Sequence, residues 1–427
     1  AVSKHDLQGT LLKTYGTMAE AAEDSNLSYE RMKYAVRTGS TATGFQWKYL
    51  GKFDDLEVIH YGFQHFNNDS DPQQKRLKAL PESIIVHDAA KAEIPFEQGF
   101  GIKNFRDFVR LSRPDVIVIF NDAFIVAKFL NELAIEPRVC PGARIIVYLD
   151  TVYPFVNPDL LTIVNRGADH IIAFTEYWKQ ELLAQGITKP MSTLMHGFDP
   201  EEIYPTEQRT KTADAPMICL NLNRNQPRKR YDLMAITMAL VYAKRPDANV
   251  RFVAATDLKG GAWDVPRLFA RELCKRMEPE KAYHFLEYLL TVKNPSAMTD
   301  EDVNKLYNEA DVGLNFAQGE GVGLTSMEHA GLGKPQICGR LGGFQEYLDD
   351  SCATLLDVKG HEYIDSRDVI GGEASIIDPQ DACDAILRYL DDPELRAAHG
   401  KAAREKVLEY RWEVIGQALY DVIVESS

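Results

Sequence analysis

Glu320 and Glu328 stand on either side of two glycines and a small polar run in GEGVGLTSMEHAGLGKP, residues 319–335. The preceding DVGLNF reads as a strand, AQGEGVG as a loop, and LTSMEHAGLG as a helix ending at Gly333. The first amides of a helix have no partner inside it, so a start left bare by Gly321 and Gly323 is a site for phosphate. Glu328 falls about one turn into that helix, beside the same cleft, where a carboxylate suits the paired hydroxyls of a ribose. Glu320, in the loop, can accept hydrogen bonds from a sugar. The stretch therefore reads as phosphate in the middle with hydroxylated rings on both sides.

The opposite charge comes from LNLNRNQPRKRYDL, residues 220–233, where a strand ends and a helix begins. Arg224, Lys229 and Arg230 cluster in the turn. A diphosphate leaving group needs its growing negative charge neutralised, and Arg/Lys clamps do this without a metal. No His/Cys cluster has metal-ligand spacing. Asp69-Ser70-Asp71 matches an Asp-x-Asp pattern, but it sits in the polar NNDSDPQQ loop and is not expected to hold a metal.

These residues need a scaffold, and from residue 53 the chain supplies one. LEVIHYGF (56–63), SIIVHD (83–88), DVIVIF (115–120), RIIVYLD (144–150) and HIIAFT (170–175) are short apolar runs, with helical stretches such as IKNFRDFVRLS and FIVAKFLNELA between them. The rhythm restarts after Tyr204-Pro205 with PMICLNLN, NVRFVAAT, AYHFLEY, DVGLNF and KPQICG. Strands apolar on both faces and alternating with helices predict parallel sheets covered on both sides. Two such units predict an α/β protein of two doubly wound domains facing a cleft. The expected division is residues 1–52 as a small module, 53–205 as the first Rossmann-like domain and 206–400 as the second. Residues 401–427 form a C-terminal helix packing back toward the first.

Composition agrees with a globular chain: 427 residues, 45% hydrophobic and 26% charged. No apolar run, VIVIF at 116–120 among them, approaches a membrane span, and no charged-then-apolar leader pattern is read at the start. Six scattered cysteines without a CxxC pair suggest a reduced, cytoplasmic setting. The net charge of −15 argues against a broad basic surface. It is uneven: residues 1–52 hold seven Lys/Arg and five Asp/Glu, a net of +2. Within them, Thr17 and Glu20 form a capping box, Ser28 reads as a second cap and Gly39 as a helix end. Two short helices with a tight turn predict a helix-turn-helix-like unit, with Arg31, Lys33, Tyr34 and Arg37 on the exposed face for DNA. A small helical cap with a solvated charged face is the alternative.

GEGVGLTSMEHAGLGKP resembles the Glu-x7-Glu signature of retaining glycosyltransferases of the two-domain GT-B fold, in the large glycosyltransferase 4 family. The NRNQPRKR turn, MHGFDPEEIYP at the domain junction and YNEADVGLNFAQGEG agree, so the resemblance covers roughly residues 56–420 and is closest to virus- and phage-type members. It implies transfer of a sugar from a UDP- or GDP-linked donor with retention of anomeric configuration, without cofactor or metal. Glu320 would contact the transferred sugar and Glu328 the ribose. The amides of Gly323, Leu324 and Thr325 would hold phosphate, Arg224 and Lys229 the diphosphate, and the departing phosphate would assist deprotonation of the acceptor. Where family members often place a histidine, this chain offers Asp150, a candidate sugar contact or weak base. His196 in MHGFDP is expected to be structural.

The segment GTLLKTYGTMAEAAEDSNLSYERMKYAVRTGSTATGFQWKYL resembles the modular DNA-binding repeat appended to homing endonucleases. It implies DNA contact through residues 1–52 and admits a modified DNA base, beside a glycan, as the acceptor. For a viral chain the setting would be the host cytoplasm. The glycine-rich first strand expected of the first domain is not visible, with Thr43, Gly44 and Phe45 as its only counterpart. A catalytically impaired, DNA-tethered or nucleotide-sugar-binding protein is therefore the alternative function.

Overall fold

A computed structural model describes residues 2–5, 11–15, 23–25, 41–42, 45–49, 56–62, 85–89, 97–206, 215–258, 260–292, 298–364 and 370–424. The chain forms two compact units: Ala1–Asn68 with Leu77–Phe105, and Asp69–Arg76 with Arg106–Ser427. The division differs from the four sequence segments in joining both halves beyond residue 105 into one unit.

In the first unit, strands β1 (Val2–His5), β2 (Leu11–Tyr15), β3 (Thr41–Ala42) and β4 (Phe45–Tyr49) form an antiparallel sheet in the order β2-β1-β4-β3. These strands flank the span, Thr17 to Gly39, in which two short helices are expected and which lies outside the described residues apart from 23–25. The aromatic residues of FQWKY favour a pleated strand. Only a single helical turn at 23–25 is described in the intervening stretch; Arg31, Lys33, Tyr34 and Arg37 lie outside the described residues, as do Thr43, Gly44 and Asp69-Ser70-Asp71. Strands β5 (Ile59–Gly62) and β6 (Ile85–Asp88) pair in parallel, with the Tyr61 hydroxyl donating to the Gly101 carbonyl at 2.7 Å.

The second unit carries two parallel sheets. One runs β10-β9-β8-β7, from β7 (Val116–Asp122), β8 (Arg144–Asp150), β9 (His170–Ala173) and β10 (Met191–Thr193). Its helices include α1 (Ala123–Leu133), whose N-cap Asp122 accepts from the Ile125 amide, and α2 (Glu176–Ala184), capped by Thr175. Among the described residues β7 ends this sheet, and its Val118 and Phe120 are each 41% exposed.

The other sheet has the order β13-β12-β11-β14-β15-β16, formed by β11 (Met217–Asn221), β12 (Val250–Ala254), β13 (Leu289–Thr291), β14 (Val312–Asn315), β15 (Gln336–Gly339) and β16 (Ala353–Leu356). Helices α3 (Tyr231–Lys244), α4 (Asp300–Glu309), α5 (Leu324–Gly331) and α6 (Pro379–Asp391) flank it. AYHFLEY is not a strand. Pro279–Leu286 is helical, begun by Pro279 at its first position, and its Phe285 ring stacks on Tyr242 at 4.5 Å. Burial of both rings against the sheet outweighs the β-favouring aromatic composition.

The hairpin β17 (Val358–Ile364) and β18 (Gly372–Ile377) was not foreseen. It links the two halves of this unit: the Glu373 amide donates to Pro154 O at 2.9 Å, Asn157 N to Ile370 O at 2.8 Å, and Ser375 N to Gln318 O at 2.8 Å. The chain end does the same on the other side. Phe198 N donates to Tyr410 O and Trp412 N to Phe198 O, and helix α7 (Trp412–Val424) accepts from Arg144 through the Val422 carbonyl at 3.0 Å. Among the described residues no helix is long and apolar enough to cross a membrane, and all six cysteines are free.

Candidate active site

Strand β14 delivers Asn315 and the loop that follows, and Gly323 ends that loop with φ +79°, a left-handed conformation that favours glycine. Helix α5 starts one residue later. The Ser326 and Met327 amides bond back to the Gly323 carbonyl, which leaves the Leu324 and Thr325 amides as the orphan donors of the first turn among the described residues. The loop is held from three sides. Trp178 Nε1 donates to Gly321 O at 3.0 Å, Tyr347 to Gly323 O at 3.2 Å, and the Gly343 amide to Glu320 O at 3.0 Å. A Cβ on Gly343 would stand 2.0 Å from Gly321 O, so the two glycine-bearing backbones touch.

Glu320 is 4% exposed and bound by cations. Lys229 Nζ donates to its Oε1, Arg228 Nη1 to Oε2 at 3.2 Å, and Asn315 Nδ2 to Oε1 at 3.3 Å. Burial pushes the carboxyl upward, but Lys229 and Arg228 outweigh it and hold Glu320 below the ordinary glutamate range. Burial also draws Lys229 below the usual lysine value, opposed by the charge of Glu320.

The basic turn sorts its residues in a way the sequence reading did not. Pro227–Lys229 is a single 3-10 turn that sends Arg228 and Lys229 to Glu320. Arg230 does not join the cluster: with φ 52° it begins α3 and pairs with Asp232 through Nε and Nη2, both at 2.9 Å. The legible signal was the local Arg-x-Asp spacing. Arg228, passed over, also donates to Gly319 O at 2.8 Å. Arg224 is exposed at the start of the turn, and its charge is near enough to lower Lys229 further.

Asp150 reaches this cluster from the other sheet. It ends β8 beside Asp122 in parallel register, and its Oδ1 would lie 2.5 Å from a Cβ on Gly321. Burial raises its pKa to about 6; Arg228 opposes this, while Asp122 and Glu320 add to it. His196 is stacked on Phe174 at 5.8 Å, stands edge-on to Trp412 at 5.4 Å and lines the cavity that also holds Glu328.

Glu328 projects from α5 on the far side of the helix start. Tyr307 donates to its Oε2 at 2.7 Å, and burial raises its pKa, with Tyr307 opposing and Asp300 adding. It lines a cavity of about 320 Å³ together with Leu222, Val303, Leu324, Met327 and Trp412. Thus Glu320, Lys229, Arg228 and Asp150 gather around the Gly321 end of the loop, while Glu328 and Leu324 line the cavity. Among the described residues no group of three or more His, Cys, Asp or Glu is placed to hold a metal ion. Trp178 and Tyr307 reach the loop and α5 only through the fold, whereas Arg228 lies in the basic turn beside Lys229 and Asn315 five residues before Glu320.

Residues 268–420 match the family described as Glycosyl transferase-like. Among curated proteins, the D-inositol 3-phosphate glycosyltransferase of Saccharomonospora viridis is 24% identical over 273 residues, 62% of this chain and 57% of that protein. The GDP-mannose-dependent monoacylated alpha-(1-6)-phosphatidylinositol monomannoside mannosyltransferase of Corynebacterium glutamicum is 29% identical over 226 residues, 52% of this chain and 51% of that protein. The chain spans about half the length of the curated relatives it matches. Among solved structures, sucrose-phosphate synthase from Thermosynechococcus elongatus superposes with a TM-score of 0.63 at 17% identity, covering 87% of this chain and 90% of that one. Anabaena HepE in complex with UDP-glucose gives 0.58 at 14% identity, covering 80% and 86%. The chain has the α/β GT-B fold of glycosyltransferases, and its residues 268–420 match a glycosyl transferase-like family.

Proposed function

We propose that the chain transfers a sugar from a nucleotide-sugar donor to an acceptor hydroxyl, with retention at the anomeric carbon and without a metal. One observation carries the reading: the helix start at Leu324 and Thr325 follows the loop that holds the Lys229–Glu320–Arg228 cluster beside Asp150, and Glu328, one turn on, lines the cavity with Leu324. The diphosphate sits on the amides. Glu328 grips the ribose through the carboxylate oxygen that Tyr307 does not occupy, and the base enters the cavity between Leu222, Val303 and Met327. Glu320 has acceptor capacity beyond its three donors and faces the sugar hydroxyls.

In the reaction, the bond from the anomeric carbon to the diphosphate oxygen breaks, and the electron pair stays on that oxygen. Lys229, Arg228 and Arg224 stabilise the new charge in a site already organised for it. The acceptor hydroxyl bonds to the same face, and its proton passes to the departing phosphate. Asp150, with a pKa near 6, is ionised at neutral pH and holds the sugar in place. The relatives' names mention D-inositol 3-phosphate and a monoacylated phosphatidylinositol monomannoside, and we place the acceptor here among glycans and polyols.

The test is to incubate the protein with UDP- and GDP-sugars and such acceptors in EDTA, and to read the product anomer by NMR. Retained product, insensitive to EDTA, is expected. An inverted product, or no turnover together with nucleotide binding untouched by Glu328→Ala, overturns the reading.

A further inference from the structure

The residue before the exposed Arg224 has no role in the site as described so far. Asn223 is 4% exposed, and three of its four polar groups are tied down. Its amide donates to Asn221 Oδ1 at 3.0 Å, its carbonyl accepts from the Tyr231 hydroxyl at 2.7 Å, and its Oδ1 accepts from the Thr325 hydroxyl at 3.2 Å. Asn221 is itself anchored by Nδ2 donating to Leu314 O at 2.7 Å. The fourth group, Nδ2, is buried with no hydrogen-bond partner among the described residues. Burying a donor without a partner is costly, so the site that holds it in place calls for an acceptor.

The geometry says which acceptor. The Thr325 hydroxyl that fixes Oδ1 belongs to the first turn of α5, whose Leu324 and Thr325 amides are the orphan donors. A carboxamide bonded to that turn through its oxygen has its NH2 beside the same helix start. Positive potential from the helix end, two bare amides and one bare carboxamide NH2 converge on one place, and an anionic oxygen satisfies all of them at once. We infer that Asn223 is a positioning residue for the nucleoside diphosphate, donating through Nδ2 to a phosphate oxygen held at the start of α5. This rests on the proposed sugar-transfer reading and adds to it a contact from the strand β11 side of the cleft. Because Oδ1 is already engaged by Thr325, the carboxamide is pre-oriented, and little side-chain freedom is lost on binding.

The experiment uses the full chain and calorimetry with UDP, GDP, uridine and guanosine. Asn223→Ala removes the donor; Asn223→Asp keeps the acceptor for Thr325 but replaces the donor with a carboxylate. Whichever diphosphate the wild type binds should bind Asn223→Ala about tenfold more weakly and Asn223→Asp more weakly still, as expected for loss of a charge-assisted hydrogen bond. Affinity for the matching nucleoside should stay within about twofold. A merely structural role would weaken nucleoside and diphosphate together, and that outcome overturns the inference. So does unchanged diphosphate affinity in either variant, Asn223→Asp deciding if Asn223→Ala does not fold. A wild type that binds neither diphosphate overturns the sugar-transfer reading as well, which separates the two failures.

Discussion

Replacing Glu320 by Gln tests the centre of the site. The Glu320 side chain is 6% exposed and that of Lys229 9%, so the variant leaves an ammonium in a dry place with its anion gone. Arg228, at 24%, keeps the Gly319 carbonyl and some water, so most of the loss falls on Lys229. Removing one partner of a buried pair costs about 3–5 kcal/mol; Gln can still accept from Asn315, which puts the expectation near 3 kcal/mol. Urea unfolding reads it as a fall in midpoint at constant slope. Lys229→Met should cost a similar amount, and the double variant should be less destabilised than the sum by about 2 kcal/mol, since the second change removes the orphan left by the first. The sign with pH follows from Glu320 lying below its ordinary value. Its contribution is present above the unfolded pKa of about 4.3 and lost as the pH falls through the lower native one, so wild type and Glu320→Gln converge only below that native value. A loss under about 1 kcal/mol at pH 7, or additive single changes, would refute the buried-pair reasoning.

Three further outcomes are expected. Asp150 has a pKa of about 6, so kcat/KM should rise through that pH as the carboxylate ionises, and Asp150→Asn should abolish this limb of the profile rather than shift it. Glu328→Gln should weaken nucleotide binding about tenfold in calorimetry while binding of inorganic pyrophosphate is unchanged, because it removes the ribose acceptor and leaves the helix start intact. Gly321→Ala places a Cβ 2.5 Å from the movable Asp150 carboxylate, and Gly343→Ala places one 2.0 Å from the Gly321 backbone. The first should lower kcat with little change in Tm, and the second should lower Tm by several degrees.

Much of this protein is legible from its residues alone. The β-strand RIIVYLD occupies Arg144–Asp150 and the helix IKNFRDFVRLS occupies Ile102–Ser112, as local apolar periodicity implied. The loop-to-helix chemistry of residues 319–331 is local too: glycines, a helix start and a carboxylate one turn in are neighbours in sequence. Lys229 was readable for the same reason, as part of a basic strand-to-helix turn. Tertiary structure decided what depends on distant partners. Pro279–Leu286 is a helix because Phe285 finds Tyr242, and β17 and β18 exist because their backbones pair with each other and with Pro154, Asn157 and Gln318. The choice between Arg228 and Arg230 came from a left-handed residue and a local aspartate that a charge count does not see. Above all, the role of Glu320 depends on burial: a carboxylate in a loop looks like any other until the fold takes away its water and leaves it two cations.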